Sequence, residues 1–241
     1  MFGKKNKLFV TIVKYFIVIV FFIYSAKSQD CNKNNWKSFY SSDGYNMKNC
    51  NLANANLEGA YLEGASLEGA NFSGANLRNT NLEGADLTGA NFTGANLQGS
   101  YLDVVNLLNA NLQGADLSGA DLLSAYLGNT DLTGVDLRNT NLKRIVSNGA
   151  KATNSLLPKG WKLIKGYFVG PTANLQGADL SGGNLKDTIL KHANFYEVNL
   201  EGANLKGANL DEVISGYVKG VPESLPEGWM LIEGVLIKKG R

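Results

Sequence analysis

The sequence predicts an all-β coil whose chain turns once in every five residues. Three observations point to it. From position 52 to 142 every fifth residue is Leu or Phe, nineteen in succession, and eight more follow from 175 to 210. Two residues before each of these centres is a small residue, usually Ala, as at Ala55, Ala60, Ala65, Ala70 and Ala75. Two residues after it is commonly Gly or Asn, and one before it is usually Asn or Asp.

A period of five fits neither regular element. In an α-helix a five-residue step overshoots a full turn by about 140°, so the leucines would wander over every face. Glycine at so many positions would add about 1 kcal/mol each against a helix. In a flat strand an odd step alternates faces. The chain must therefore bend within each repeat and return each Leu to one inward direction. The small residue and the Leu are two apart, so both point in. The Asn or Asp before the Leu and the residue after it point out. The Gly or Asn takes the corner, where a positive φ costs least.

These repeats, read as Ala55-Asn56-Leu57-Glu58-Gly59 or Ala85-Asp86-Leu87-Thr88-Gly89, resemble the pentapeptide-repeat family and its motif A(N/D)LXX. The resemblance covers 27 repeats, more than half of the chain. It implies a right-handed quadrilateral β-helix with four repeats per coil. The sequence holds a check on that number: Phe72 and Phe92, the Phe centres of the first run, are 20 apart, which places them on adjacent coils. Thr80, Ser100 and Thr140, polar at the inner position, also differ by multiples of 20. At about 4.8 Å per coil, nineteen repeats make a rod of roughly 23 Å.

The organisation reads as six parts. Residues 1–28 look like a targeting segment, with Lys4, Lys5 and Lys7 ahead of an apolar stretch and small residues at Ala26 and Ser28 before Gln29. An uncleaved single-pass anchor is the rival reading, although only residues 15–24 run uninterrupted by charge, short of the ~18 to 20 that a span needs. Residues 29–50 form an arm over the N-terminal end, 51–142 the first block, 143–172 a connector or cap, 173–212 the second block and 213–241 a C-terminal cap. The connector and the final cap are copies offset by 68: Leu157-Pro158-Lys159-Gly160-Trp161 matches Leu225-Pro226-Glu227-Gly228-Trp229. A solenoid end exposes apolar interior and unpaired backbone, so Trp161 and Trp229 read as covers. An exposed partner site around each Trp is the sharper alternative.

Charge and chemistry narrow the function. Without residues 1–28, which carry five Lys and no acid, the chain holds 18 basic and 21 acidic residues, a net of −3. No basic patch for nucleic acid is left. Cys31 and Cys50, in an exported chain, are candidates for a disulfide stapling the arm to the first coil. With His192 as its single histidine, the sequence assembles no Ser-His-Asp triad and no multi-His metal site. The glycines accompany turns at period five, not a phosphate loop. No cofactor and no enzymatic activity are expected. Leu57, Phe72 and Phe92 read as core. Glu63, Glu83 and Asp103 would stack on one side at 20-residue spacing, as a solubilising face, a cation site or an interaction surface. Asn71 and Asn91 match the pattern of an N-glycosylation acceptor.

The expected function is an exported scaffold, secreted, periplasmic or lumenal, that binds an unidentified protein or surface partner. Membrane contact would come only through the N-terminal segment. A second reading follows from the resemblance. Some pentapeptide-repeat proteins look like duplex DNA and bind DNA gyrase. Residues 51–142 carry ten acids against Arg78 and Arg138, a net of −8, which suits an acidic rod offered to a basic channel. That reading requires a cytosolic protein.

Overall fold

The computed structural model describes residues 31–42 and 45–240. The expected targeting segment 1–28 and the site before Gln29 lie outside the described residues. Among the described residues no helix is long and apolar enough to cross a membrane.

The architecture is a stack of coils joined by parallel bridges between residues 20 apart. Four bridge columns run along it, through Asn51↔Asn71, Asn56↔Asn76, Tyr61↔Asn81 and Ser66↔Asp86. One coil therefore takes four pentapeptides. The backbone bonds follow the same step: Leu57 N–H donates to the Asn76 carbonyl at 2.8 Å, and Asn76 N–H to the Ala55 carbonyl at 2.9 Å. The Leu and Phe centres and nearly all the small residues are buried, those of the first block in one core and those of the second block in another. Phe72 and Phe92 stack at 4.7 Å between centroids, with their rings 5° from parallel.

Two residue preferences acquire a cause. The Asn or Asp before each centre does more than face outward. Its Oδ1 accepts the N–H two residues on, as from Ser73 to Asn71 at 3.1 Å and from Leu123 to Asp121 at 3.0 Å. This Asx turn holds the corner in shape. Two of the polar inner residues, Thr80 and Thr130, bond backward across the coil. Thr80 Oγ1 donates to the Leu57 carbonyl at 2.8 Å, and Thr130 Oγ1 to the Leu107 carbonyl at 2.7 Å. Thr130 corrects the 20-residue rule for polar inner residues, because it sits 50 positions from Thr80 and on another column.

The coil begins earlier and continues later than the Leu pattern indicates. Asn46 already bridges Ser66, with Met47 buried in the place of a Leu centre. Before it, Asn32 bridges Asn51, and helix α1 (Trp36–Ser42) follows. Trp36, Phe39 and Tyr40 pack on the end of the core, and a disulfide joins Cys31 to buried Cys50. Beyond 142, the bridges Asp131↔Lys151 and Asp136↔Leu156 carry the ladder on.

Ser147 stands where the next Leu would be. Its missing bulk is supplied by a hairpin of β1 (Lys162–Ile164) and β2 (Tyr167–Val169), paired antiparallel. Phe168 from β2 is fully buried, and its N–H donates to Ser147 Oγ at 2.8 Å. Val146 then bridges Asn174 and the second block stacks on. Residues 143–172 are thus a joint inside the stack, not an end cover. Trp161 packs against both the first and the second core, lying over Gly170, where any Cβ would overlap its ring.

The second block includes β3 (Asn194–Tyr196) paired in parallel with β4 (Ile214–Gly216). It ends in a second antiparallel hairpin, β5 (Trp229–Ile232) with β6 (Val235–Lys238). The copies match in detail: Leu236 N–H donates to Ser215 Oγ at 3.0 Å, the bond that Phe168 makes with Ser147.

Candidate functional site

The outward side chains decide what a molecule with an apolar centre can do, and one bridge column differs from the others. It runs Tyr61, Asn81, Tyr101, Asp121, Asn141. Where most columns offer short amides and carboxylates, this one offers two phenol rings. Tyr61 is 75% exposed and Tyr101 55% exposed. A groove lies between them, lined by Ala60, Tyr61, Asn79, Asn81, Glu83 and Tyr101.

Beside this column runs another, Glu63, Glu83 and Asp103, held in step by bonds from Gly64 N–H to the Glu83 carbonyl and from Gly84 N–H to the Asp103 carbonyl. The expected acidic residues therefore do lie side by side, and the tyrosines and Asp121 complete the face. Partial burial pushes the Asp103 carboxyl up to about 6, with the neighbouring Asp121 carboxylate and then Glu83 adding to it. Asp121 Oδ1 accepts from Asn141 Nδ2 at 2.8 Å. The Lys and Arg ion pairs among the described residues lie elsewhere: Lys48–Glu68, Arg138–Asp136, Lys165–Asp179, Lys191–Glu212 and Lys238–Asp211.

The remaining singled-out residues fall as follows. Leu57, Phe72 and Phe92 are buried. Trp161 sits in the joint and Trp229 against the end of the second core. His192 occupies a corner at φ 60°, its Nδ1 3.2 Å from Glu212 Oε2. Asn71 and Asn91 belong to an amide ladder in which Asn71 Nδ2 donates to Asn51 Oδ1 at 3.3 Å. No group of three His, Cys, Asp or Glu among the described residues could hold a metal ion. Tyr61, Tyr101 and Asp121 are absent from the expected set. The 20-residue spacing that picks out Glu63, Glu83 and Asp103 picks them out too, when applied to the residue before each centre.

A stack of four-pentapeptide coils with an apolar core and all its chemistry on the outside defines a β-helix-type solenoid. The chain belongs to the pentapeptide-repeat family: the model "Pentapeptide repeats" matches eight copies, over residues 46–84, 70–107, 85–122 and 173–211. No curated protein matches it significantly. Among solved structures, a pentapeptide repeat protein, Rfr23 from the cyanobacterium Cyanothece 51142, is 27% identical over 52% of this chain and 97% of its own, with a TM-score of 0.40. HetL from the cyanobacterium Nostoc sp. PCC 7120, involved in heterocyst differentiation regulation, is 30% identical over 70% of this chain and 86% of its own, at TM-score 0.26. QnrB1, a plasmid-mediated fluoroquinolone resistance protein, is 21% identical over 70% of this chain and 80% of its own, at TM-score 0.31. The family assignment rests on the eight repeat copies; superpositions this loose add nothing to it.

Proposed function

We propose that this protein is an exported, non-catalytic scaffold that binds another protein through its outward columns, on a coil that closes as a right-handed, four-sided β-helix. The observation that carries the binding reading is the face of Tyr61, Tyr101, Glu63, Glu83, Asp103 and Asp121. Exposed tyrosine and uncompensated charge on a rigid support favour recognition over solubility alone. Export is supported by the Lys-rich, apolar, small-residue succession of residues 1–28 and by a disulfide between Cys31 and Cys50, which an oxidising compartment would maintain. Cross-linking mass spectrometry on the host's non-cytoplasmic fraction tests it. The expected result is one partner protein recovered at comparable abundance, with links to the outward columns. Recovery of the chain alone, or of a small-molecule turnover activity, would contradict it.

The acidic first block supports a second reading, a rod that acts on DNA gyrase from the cytosol. A supercoiling assay separates the two. The scaffold reading expects no effect of the purified, oxidised protein, and stoichiometric inhibition or protection of gyrase would favour the rod.

A further inference from the structure

We propose that the tyrosine–carboxylate face docks a basic, polyproline-type segment of a partner protein, lying along the rod axis. This rests on the protein-binding reading above and names the chemistry of its partner.

Spacing selects the partner's backbone. Tyr61 and Tyr101 are two bridge steps apart in one column, with the shorter Asn81 between them. Two coil steps are about 9.6 Å. A polyproline II helix has three residues per turn at ~3.1 Å each, so residues i and i+3 point the same way about 9.3 Å apart. An extended β-strand returns a side chain to the same side about every 6.8 Å and would miss one ring. The groove between the rings thus takes one polyproline turn, with a ring or aliphatic stem resting against each tyrosine.

Charge selects the partner's side chains. The stretches 60–64, 80–84, 100–104 and 120–124 contain Glu63, Glu83, Asp103 and Asp121 and no Lys or Arg. None of these four carboxylates is in an ion pair among the described residues. Asp103 retains its proton to an unusually high pH through partial burial and then through acidic neighbours, and the field of those neighbours is one that a cation relieves. Carboxylates alone would be a solvated patch. Carboxylates beside exposed tyrosine rings match the guanidinium group, which stacks on an aromatic face and forks onto a carboxylate. Nucleic acid is repelled by the same charge. A neutral glycan could rest on the rings but would leave the carboxylates without a role.

The test uses the full, oxidised protein and a fluorescein-labelled peptide of four Arg-Pro-Pro units, read by anisotropy. The controls are four Gln-Pro-Pro units and an alternating Arg-Thr peptide of equal charge. The expected result is at least tenfold tighter binding of Arg-Pro-Pro than of either control. Tyr61→Ala and Tyr101→Ala should each weaken it at least fivefold, and the pair Glu63→Gln with Glu83→Gln should do the same and flatten its salt dependence. Asp116→Asn, on another column, should leave it unchanged. These side chains are outward, so unchanged thermal melts show that each variant is folded. Equal affinity for the two arginine peptides, wild-type affinity in the tyrosine variants, or no binding would overturn the proposal. If the peptide fails while cross-links place a protein partner on another column, only this docking mode falls. If a neutral glycan binds through Tyr61 and Tyr101 and no protein partner is found, the scaffold reading falls with it.

Discussion

Asp103 shows how a regular fold can load one residue. The coil puts Glu83 directly beside it and Asp121 on the neighbouring column, and partial burial raises its carboxyl to about 6. The folded state therefore holds this proton more tightly than the unfolded chain does. The contribution to stability is complete below about pH 4 and is lost as pH rises through about 6. Asp103→Asn should match the wild type near pH 4 and exceed it at pH 7 by about 1 kcal/mol, after allowing for solvent screening. Denaturant melts at the two pH values check it, and a variant less stable at pH 7 would be the wrong sign. Next to it, Val104 holds a corner at φ 57° while 61% exposed. A β-branched residue is strained there, so Val104→Gly should stabilise by about 1 kcal/mol. In the core, Phe72→Ala removes one ring of the stacked pair and should cost about 3 to 5 kcal/mol. The stacking of Phe72 on Phe92 is legible from their separation alone. The Asx turns are not, because a period shows that Asn recurs but not which N–H it accepts.

The two hairpins and the N-terminal arm are the elements that interrupt the period, and each fills a space the repeats leave open. Ser147 and Ser215 look like breaks in the Leu pattern. In the fold they are seats for Phe168 and Leu236, whose N–H groups they bond. A pattern based on Leu therefore breaks at 142 while the ladder runs on through Lys151 and Leu156 and, from Val146, into the second block. The duplication itself is visible in the 68-residue offset. The joint role of the first copy is not, because it depends on a second block stacking behind it. Trp161→Ala should loosen the contact between the blocks and split one unfolding transition into two, whereas Trp229→Ala should mainly fray the C-terminal end. Hydrogen exchange resolved by segment distinguishes these outcomes, and equal, local effects would contradict the joint. At the other end, the Cys31–Cys50 disulfide closes a loop of separation 19. Its reduction should cost about 3 kcal/mol and expose α1 (Trp36–Ser42) to exchange first.

For the molecule as a whole, stacking turns 20-residue spacing into geometry and so makes faces from residues remote in sequence. Glu63, Glu83 and Asp103 fall side by side on their 20-residue spacing alone. Tyr61, Tyr101 and Asp121 follow from the same spacing applied to the residue before each centre, which the pattern also turns outward. The proposed role puts this rod outside the cytoplasm as a protein-binding scaffold, and export is the part on which the rest depends. Fractionation of the native host with intact-mass analysis of the purified protein is the sharpest test of it. The expected result is a non-cytoplasmic chain that begins at Gln29 and lacks two hydrogens for the Cys31–Cys50 bond. A full-length cytosolic chain with two free thiols would contradict it and return the acidic rod to first place.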